Sequence, residues 1–156
     1  MTVADEAVER FSGELNCAQS VLASFAPALG LSETAAKALA APFGAGIART
    51  GATCGAVTGA LMVLGLASAS KGASDGEKKE HAYRLADELN RRFLARFGTT
   101  GCSELLGCEM GTEAGRERAK GLGLYETRCP GFVRAAAEIV VEILQEDSRA
   151  TSGAAR

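Results

Sequence analysis

The chain has 156 residues, of which 47% are hydrophobic, and its 17 basic and 19 acidic side chains leave a net charge of −2. This size predicts one domain with its own apolar core, and the absence of a basic patch argues against nucleic acid as a partner because phosphate binding needs clustered Lys and Arg. His81 is the only histidine, so a zinc site with two histidines is excluded and any Ser-His-Asp arrangement would depend on that one residue.

The composition favours helices throughout the chain. There are 30 alanines and three prolines, and no alternating run is long enough to indicate a strand, which predicts an all-α fold. The first helices are predicted over residues 3–13 and 17–29 and from a Ser32 cap to about residue 41. Asn16 and Gly30 have the residue types that begin and end the second of these helices.

A glycine-rich segment, FGAGIARTGAT, separates the third helix from the fourth. It lacks the lysine and the strand-then-helix context of a phosphate-binding loop, so phosphate binding is not predicted. Residues 51–70 carry no charge and are long enough to cross a bilayer. More than half of them are Gly, Ala, Ser or Thr, and aromatic residues are missing at both ends, which favours a buried central helix over about 54–69, capped by Thr53, rather than a membrane span.

Small residues follow one face of this central helix. Gly55, Gly59 and Gly65 would let another backbone come close. Two interpretations remain open at this stage: tight packing within the chain, or a homodimer interface.

The C-terminal half continues the helical pattern. Ser74 and Glu77 form a capping box for a helix that runs to Phe97, with His81 predicted on its solvated face. Further helices are predicted over about 102–106 and 113–120, and from a Cys129 cap and Pro130 to about Gln145. The domain is therefore expected over residues 1–146, with 147–156 as a flexible tail.

Five cysteines are the unusual feature of the sequence. The opening MTVADEAVER has no secretory signal pattern, which predicts a cytoplasmic protein, where cysteines are more often catalytic, redox-sensing or metal-binding than joined in disulfides. Four of them fall at predicted helix N-termini, a position that stabilises a thiolate and lowers its pKa. These four are Cys17, Cys54, Cys102 and Cys129. No CxxC pair is present, so any site must be assembled from separate helices.

Four cysteine-containing blocks carry a resemblance to a known family. The blocks NCAQSVLASFAPALGL, TCGAVTGALMVLGL, GCSELLG and TRCPGFVRAAAEIV resemble, in order and spacing, the redox-active protein family named for its C_GCAxxG_C_C pattern. The central block has Cys54 before Gly55, the reverse of the order in the family name. The resemblance covers about residues 11–145 and places the family cysteines on Cys17, Cys54, Cys102 and Cys129, while Cys108 matches none of them.

The resemblance implies a small redox module, and three hypotheses follow. In the first, the four thiolates hold an iron–sulfur cluster for electron transfer with an unknown redox partner protein, and Gly51, Gly55 and Gly101 let backbone amides approach the sulfurs. In the second, a metal-free thiol–disulfide relay uses Cys54, at an open loop edge, as the attacking thiol. In the third, the cysteines form a structural zinc site. Covalent c-type haem is not expected because the chain has no CxxCH.

Overall fold

The computed structural model describes residues 1–154, and these form helices joined by turns. Over this part of the chain there is no strand beyond one isolated bridge between Thr53 and Gly101, so the all-α prediction is confirmed. The helices are α1 (Val3–Phe11), α2 (Cys17–Phe25), α3 (Glu33–Ala40), α4 (Gly55–Ser68), α5 (Asp75–Phe97), α6 (Cys102–Leu106), α7 (Glu113–Gly121), α8 (Leu124–Thr127) and α9 (Cys129–Ala154). Short 3₁₀ turns follow α2 at Ala26–Leu29 and α3 at Ala41–Phe43.

Side-chain caps fix where several of these helices begin. Asn16 accepts from the backbone N–H of Gln19, whose side chain bonds back to the Asn16 backbone, and Ser74 forms the same capping box with Glu77. Each box satisfies two of the backbone donors that a helix start leaves unpaired. The predicted starts of α2 and α5 are therefore confirmed, and Gly98, at φ 77°, ends α5 in the left-handed conformation that glycine tolerates.

Helix α4 lies at the centre of the molecule. It packs against α2, α5 and α9, and most of its residues from Gly55 to Leu64 are buried. The uncharged segment is therefore a core helix, as predicted. Among residues 1–154, no helix has both the length and the apolar character needed to cross a bilayer.

The close approach of α2 to α4 explains two of the three glycines on that face. A Cβ at Gly59 would lie 2.7 Å from the carbonyl oxygen of Ala18, and one at Gly55 would lie 3.1 Å from the Ala18 nitrogen. Gly65 has open space instead. Gly55 and Gly59 thus serve packing within the chain.

Several elements differ in detail from the sequence prediction. Helix α2 gives way to a 3₁₀ turn at Ala26 because Pro27 cannot donate to the helical ladder. Helix α4 has Cys54 rather than Thr53 as its N-cap, since the Thr53 backbone pairs with Gly101. Helix α8 was not predicted; Gly123, at φ 66°, precedes it in a left-handed conformation.

The last helix is longer than the sequence suggests. Helix α9 continues to Ala154 instead of ending near Gln145, so residues 147–154 of the predicted flexible tail are helical, while 155 and 156 lie outside the described residues. No glycine or proline interrupts this segment before Gly153. Asp147, at the start of the extension, is fixed by a contact with His81, which gives the extra turns a tertiary anchor.

His81 is buried rather than solvated, which corrects the prediction. Its Nδ1 lies 2.7 Å from Ser68 Oγ on α4, and its Nε2 lies 2.9 Å from Asp147 Oδ1 on α9. This Ser68–His81–Asp147 network has the composition of a hydrolytic triad, but Ser68 is 1% exposed and its hydroxyl also bonds the carbonyl of Leu64. A nucleophile that substrate cannot reach has no catalytic use, so the network joins α4, α5 and α9.

Candidate functional site

Four cysteines from separate parts of the sequence come together in the fold. Each of the six pairs among them is close enough for the charge of one sulfur to raise the pKa of another. Cys17, Cys102 and Cys129 are the first residues of α2, α6 and α9, and Cys54 is the N-cap of α4. We refer to Cys17, Cys54, Cys102 and Cys129 together as the four-thiol site.

Backbone hydrogen bonds hold two of the cysteines side by side. The N–H of Cys54 donates to the carbonyl of Thr100 at 2.7 Å, and the N–H of Cys102 donates to the carbonyl of Ala52 at 2.7 Å. Together with the Thr53–Gly101 bridge, these bonds join the segments that lead into α4 and α6. The starts of two helices that are distant in sequence are thereby fixed next to each other.

Glycine packing brings Cys17 to the same place. A Cβ at Gly55 would lie 3.1 Å from the Cβ of Cys17, so the start of α2 rests directly against the start of α4. Since Gly55 follows Cys54, this contact sets the distance between Cys17 and Cys54. The same close approach continues one turn later at Gly59.

A turn with left-handed backbone conformation packs against Cys102. Ala45, Ile47, Ala48 and Arg49 all have φ between 51° and 64°, which costs a non-glycine residue about 1–2 kcal/mol. Hydrogen bonds stabilise the turn, including Ala52 N–H to the Gly46 carbonyl at 2.9 Å. A Cβ at Gly46 would lie 2.7 Å from the Cβ of Cys102, so this turn packs tightly against the site.

Burial dominates the proton affinity of these thiols. It raises the pKa of Cys102 and of Cys129 from 9.0 to about 12, with the neighbouring thiols as further causes. Burial also raises the pKa of Cys17 and of Cys54. The expectation that helix N-termini lower these pKa values is therefore wrong here, because loss of hydration outweighs the favourable backbone dipoles.

Cys54 is not at an open loop edge, as the relay hypothesis assumed. It is 5% exposed, since α2 and the segment before α6 pack around the start of α4. The backbone N–H groups of Ala56 and Val57 favour its thiolate, without the geometry of a side-chain cap hydrogen bond. They only partly offset the effect of burial on its pKa.

The glycines expected to carry amides toward the sulfurs have other contacts. The N–H of Gly51 donates to the carbonyl of Ala45, and the N–H of Gly101 donates to Thr99 Oγ1. Gly51 has φ 73° and leaves no room for a Cβ beside Ser103 Oγ. Gly51 and Gly55 thus allow close packing around the four-thiol site, whereas a Cβ at Gly101 would meet only the side chains of Glu104 and Thr99.

A cavity of about 460 Å³ adjoins three of the four thiols. Cys17, Cys102 and Cys129 line it, and among residues 1–154 Glu126 is the only charged residue in its wall. Its other walls are mostly apolar side chains from α1, α6 and the segments that precede α2 and α7. These side chains are Phe11, Leu15, Leu106 and Met110.

Tyr125 is the one aromatic residue with a polar group in this wall. Burial raises the pKa of its phenol, and Cys129, Cys102 and Cys108 raise it further. The sequence analysis missed Tyr125 because α8 itself was not predicted. Its position four residues before Cys129, one helical turn away, was the available signal.

Cys108 stands apart from the other cysteines. It is buried, 6% exposed, but it is not among the groups that raise the pKa of any of the four thiols. Its charge does raise the pKa of the Tyr125 phenol. Cys108 therefore provides a natural comparison for the four that converge.

The sulfurs are not arranged around a single-ion position. Throughout residues 1–154, no three His, Cys, Asp or Glu side chains surround a point that one metal ion could occupy. A four-cysteine zinc site would need four sulfurs about 2.3 Å from one ion. The thiols are thus near enough for their charges to interact but are not drawn in to that distance.

A comparison with known protein families finds a match that includes the four-thiol site. The model of the family described as "Putative redox-active protein (C_GCAxxG_C_C)" matches residues 15–143, which is most of the chain and includes all four thiols of the site. No curated protein and no solved structure gives a significant match.

Proposed function

The chain belongs to the C_GCAxxG_C_C redox-active protein family, and on that premise we propose that its four-thiol site holds an iron–sulfur cluster for electron transfer. The observation that carries the proposal is the convergence of Cys17, Cys54, Cys102 and Cys129, each at the start of a different helix, with three of them facing one cavity. Four cysteine thiolates are the usual ligand set of such clusters. The electron donor and acceptor would be other redox proteins.

The protonation of the site supports a cationic ligand. With pKa values of about 12, the thiols of Cys102 and Cys129 keep their protons at neutral pH, and they become thiolates only where positive charge replaces those protons. Metal binding to thiols therefore releases protons and weakens as the pH falls. Without such a partner, the protonated thiols would act as small apolar side chains, three of them buried and Cys17 partly exposed.

The surrounding backbone would help to hold the negative charge of four thiolates. The positive ends of α2, α4 and α9 face the site, and the N–H groups of Ala56 and Val57 favour the Cys54 thiolate. A bound iron–sulfur cluster supplies reversible transfer of one electron, with no bond made or broken in the chain. The apolar side chains of the cavity wall, among them Phe11 and Met110, would limit the access of water to the sulfurs. Access of water is one determinant of reduction potential.

The spacing of the thiols favours a group of several atoms over a single zinc ion. The four sulfurs interact pairwise, yet no three of them surround one ion position among the described residues. A polynuclear cluster spans more space than one ion, and the adjoining cavity of about 460 Å³ offers room for it. Structural zinc is kept as the alternative that the metal analysis below distinguishes from the cluster.

The thiol–disulfide relay receives less support. Its attacking group must be an accessible thiolate. Cys54 is 5% exposed, and burial raises its pKa. In a relay, we would expect at least one thiol of the site to be both exposed and deprotonated.

Single Cys→Ser replacements test the proposal. The protein is purified without oxygen, and iron, acid-labile sulfide and visible absorption are measured for wild type and for Cys17→Ser, Cys54→Ser, Cys102→Ser and Cys129→Ser. Each of these variants should lose iron and sulfide or hold them only transiently. Cys108→Ser is the matched control, since Cys108 is similarly buried but lies outside the site, and it should load like wild type.

Equal loading in all five variants would contradict the proposal. Colourless wild-type protein in which only one cysteine is needed to reduce a model disulfide would support the relay in its place. Stoichiometric zinc without iron would support the structural metal site.

A further inference from the structure

We propose that, when an iron–sulfur cluster is bound at the four-thiol site, the hydroxyl of Tyr125 donates a hydrogen bond to a sulfur there and thereby raises the reduction potential of the cluster. This inference rests on the proposed function. It gives a role at the site to a residue outside the cysteine pattern.

The position of Tyr125 is the first argument. Its side chain lines the same cavity as Cys102 and Cys129. Tyr125 lies on α8, which is followed within two residues by Cys129 at the start of α9. The Arg128 N–H donates to the Leu124 carbonyl, so the chain stays nearly helical between Tyr125 and Cys129. Residues four apart on a helical path share a face, and the phenol is near enough to Cys129 for the charge of that sulfur to raise the pKa of Tyr125.

The second argument is the free hydroxyl. Within residues 1–154, the Tyr125 hydroxyl makes no hydrogen bond to another side chain or to the backbone, and no buried side-chain oxygen lacks a partner. Tyr125 is partly buried, and its hydroxyl is accessible rather than enclosed by protein. Arg116, which is near enough to affect the phenol, donates from its Nη1 to the Met110 carbonyl at 3.1 Å.

The third argument is the chemistry of the wall. Apart from the thiols, the cavity residues are mostly apolar, and the charged residue among them, Glu126, is an acceptor at neutral pH. A phenol is a donor in the protonated form that it has at neutral pH. Tyr125 is therefore suited to donate to a sulfur that carries negative charge.

The expected effect has a definite sign. Reduction adds negative charge to the bound group, and a hydrogen bond from an O–H stabilises that charge on sulfur. The hydrogen bond thus stabilises the reduced form more than the oxidised form. Its removal should shift the reduction potential to a more negative value.

The test compares the two tyrosines of the chain. Tyr125→Phe removes the hydroxyl and keeps the ring, and Tyr83→Phe makes the same change at a side chain that is 63% exposed on α5. Full-length proteins are purified without oxygen, and iron content, thermal unfolding and the midpoint potential of the visible absorption are measured. We expect a more negative potential for Tyr125→Phe and no change for Tyr83→Phe.

A second measurement keeps the ring and the fold intact. Since the chain has two tyrosines, Tyr83→Phe protein produced with 3-fluorotyrosine carries the label at Tyr125 alone. Fluorination makes the phenol a stronger donor, so the potential should move to a more positive value. This arm decides the question if Tyr125→Phe fails to load iron.

The outcomes separate the two proposals. Wild type that loads iron and sulfide, with the same potential in Tyr125→Phe as in Tyr83→Phe, overturns the inference about Tyr125 and leaves the cluster in place. An unchanged potential on fluorination overturns it as well. Wild type that contains neither iron nor sulfide overturns the proposed function itself, and the inference with it.

Discussion

The four-thiol site and the Ser68–His81–Asp147 network are both groups of buried polar side chains drawn from distant parts of the sequence, but their interactions differ. In the network, His81 bonds Ser68 at 2.7 Å and Asp147 at 2.9 Å, so each polar group has a partner supplied by the chain. In the four-thiol site, the thiols raise one another's pKa, and three of them line a cavity.

This difference separates a structural role from a functional one. Buried polar groups that are fully paired can hold helices together, and nothing more is needed to explain their burial. On the proposed function, four thiols that disfavour one another's ionisation become thiolates only when a bound ligand supplies positive charge. The two regions should therefore respond to mutation in opposite ways: stability should depend on the network, and metal content on the thiols.

The largest expected change in stability is at His81. His81→Ala leaves Ser68 and Asp147 without their partner and opens a cavity between α4, α5 and α9, which should lower the free energy of unfolding by about 2–4 kcal/mol. Urea unfolding would measure this, with Tyr83→Ala as an exposed control on the same helix. Iron content per folded molecule should stay at the wild-type level; its loss would show that the two regions are not independent.

A smaller effect is expected where α2 and α4 approach. Gly59→Ala puts a Cβ within 2.7 Å of the Ala18 carbonyl oxygen, which should cost about 1–3 kcal/mol of stability because two backbones must move apart. Gly65→Ala, on the same helix with nothing within 4 Å, is the matched control and should be neutral or slightly stabilising. Iron loading should fall in Gly59→Ala alone, since this approach places Cys17 beside Cys54. Unchanged loading would mean that another contact positions Cys17.

The thiols should also make the metal-free protein sensitive to alkali. Cys102 and Cys129 have an ordinary pKa of 9.0 and a pKa of about 12 in the fold, so between these values the folded state binds more protons than the unfolded state. Their contribution to stability is complete below pH 9 and is lost as the pH rises toward 12. Urea unfolding over this interval should show a shallower decline for the Cys102→Ala, Cys129→Ala double variant than for wild type. Parallel declines would indicate that other groups determine the alkaline stability.

The smallest effect is expected at the exposed ion pairs between α5 and α9. Arg96 lies 3.4 Å from both Glu138 and Glu142, with its side chain 37% exposed. Arg96→Ala should change the free energy of unfolding by less than about 1 kcal/mol, because water screens such pairs. A change as large as that of His81→Ala would mean that these pairs, rather than the buried network, join α5 to α9.

Local sequence signals were enough to predict the helices but not their long-range contacts. The Ser74–Glu77 box and the Asn16 cap are short-range patterns, and both appear where the sequence indicates them. His81 was misplaced because its neighbours Lys78 and Arg84 are typical of a solvated face, while its partners are 13 and 66 residues away. The extension of α9 beyond Gln145 was missed for the same reason, since Asp147 is anchored by His81.

The sequence indicated which cysteines lie near one another but not the environment around them. Cysteine positions at helix starts named the residues that converge, whereas the sign of their pKa shift depends on burial by α2 and by the segment before α6. The left-handed turn from Ala45 to Arg49 had no local pattern that marks it as a neighbour of the thiols, and the spacing of Tyr125 from Cys129 is informative only once α8 is known. Contacts of this kind are set by packing between helices, which spacing along the chain does not encode.

The most direct test of the central claim is iron, zinc and acid-labile sulfide analysis, with a visible absorption spectrum, on the full chain purified without oxygen. The account predicts brown protein with iron and sulfide in stoichiometric amounts, bound through Cys17, Cys54, Cys102 and Cys129. Colourless protein free of iron and sulfide, whether empty or with zinc alone, would contradict it.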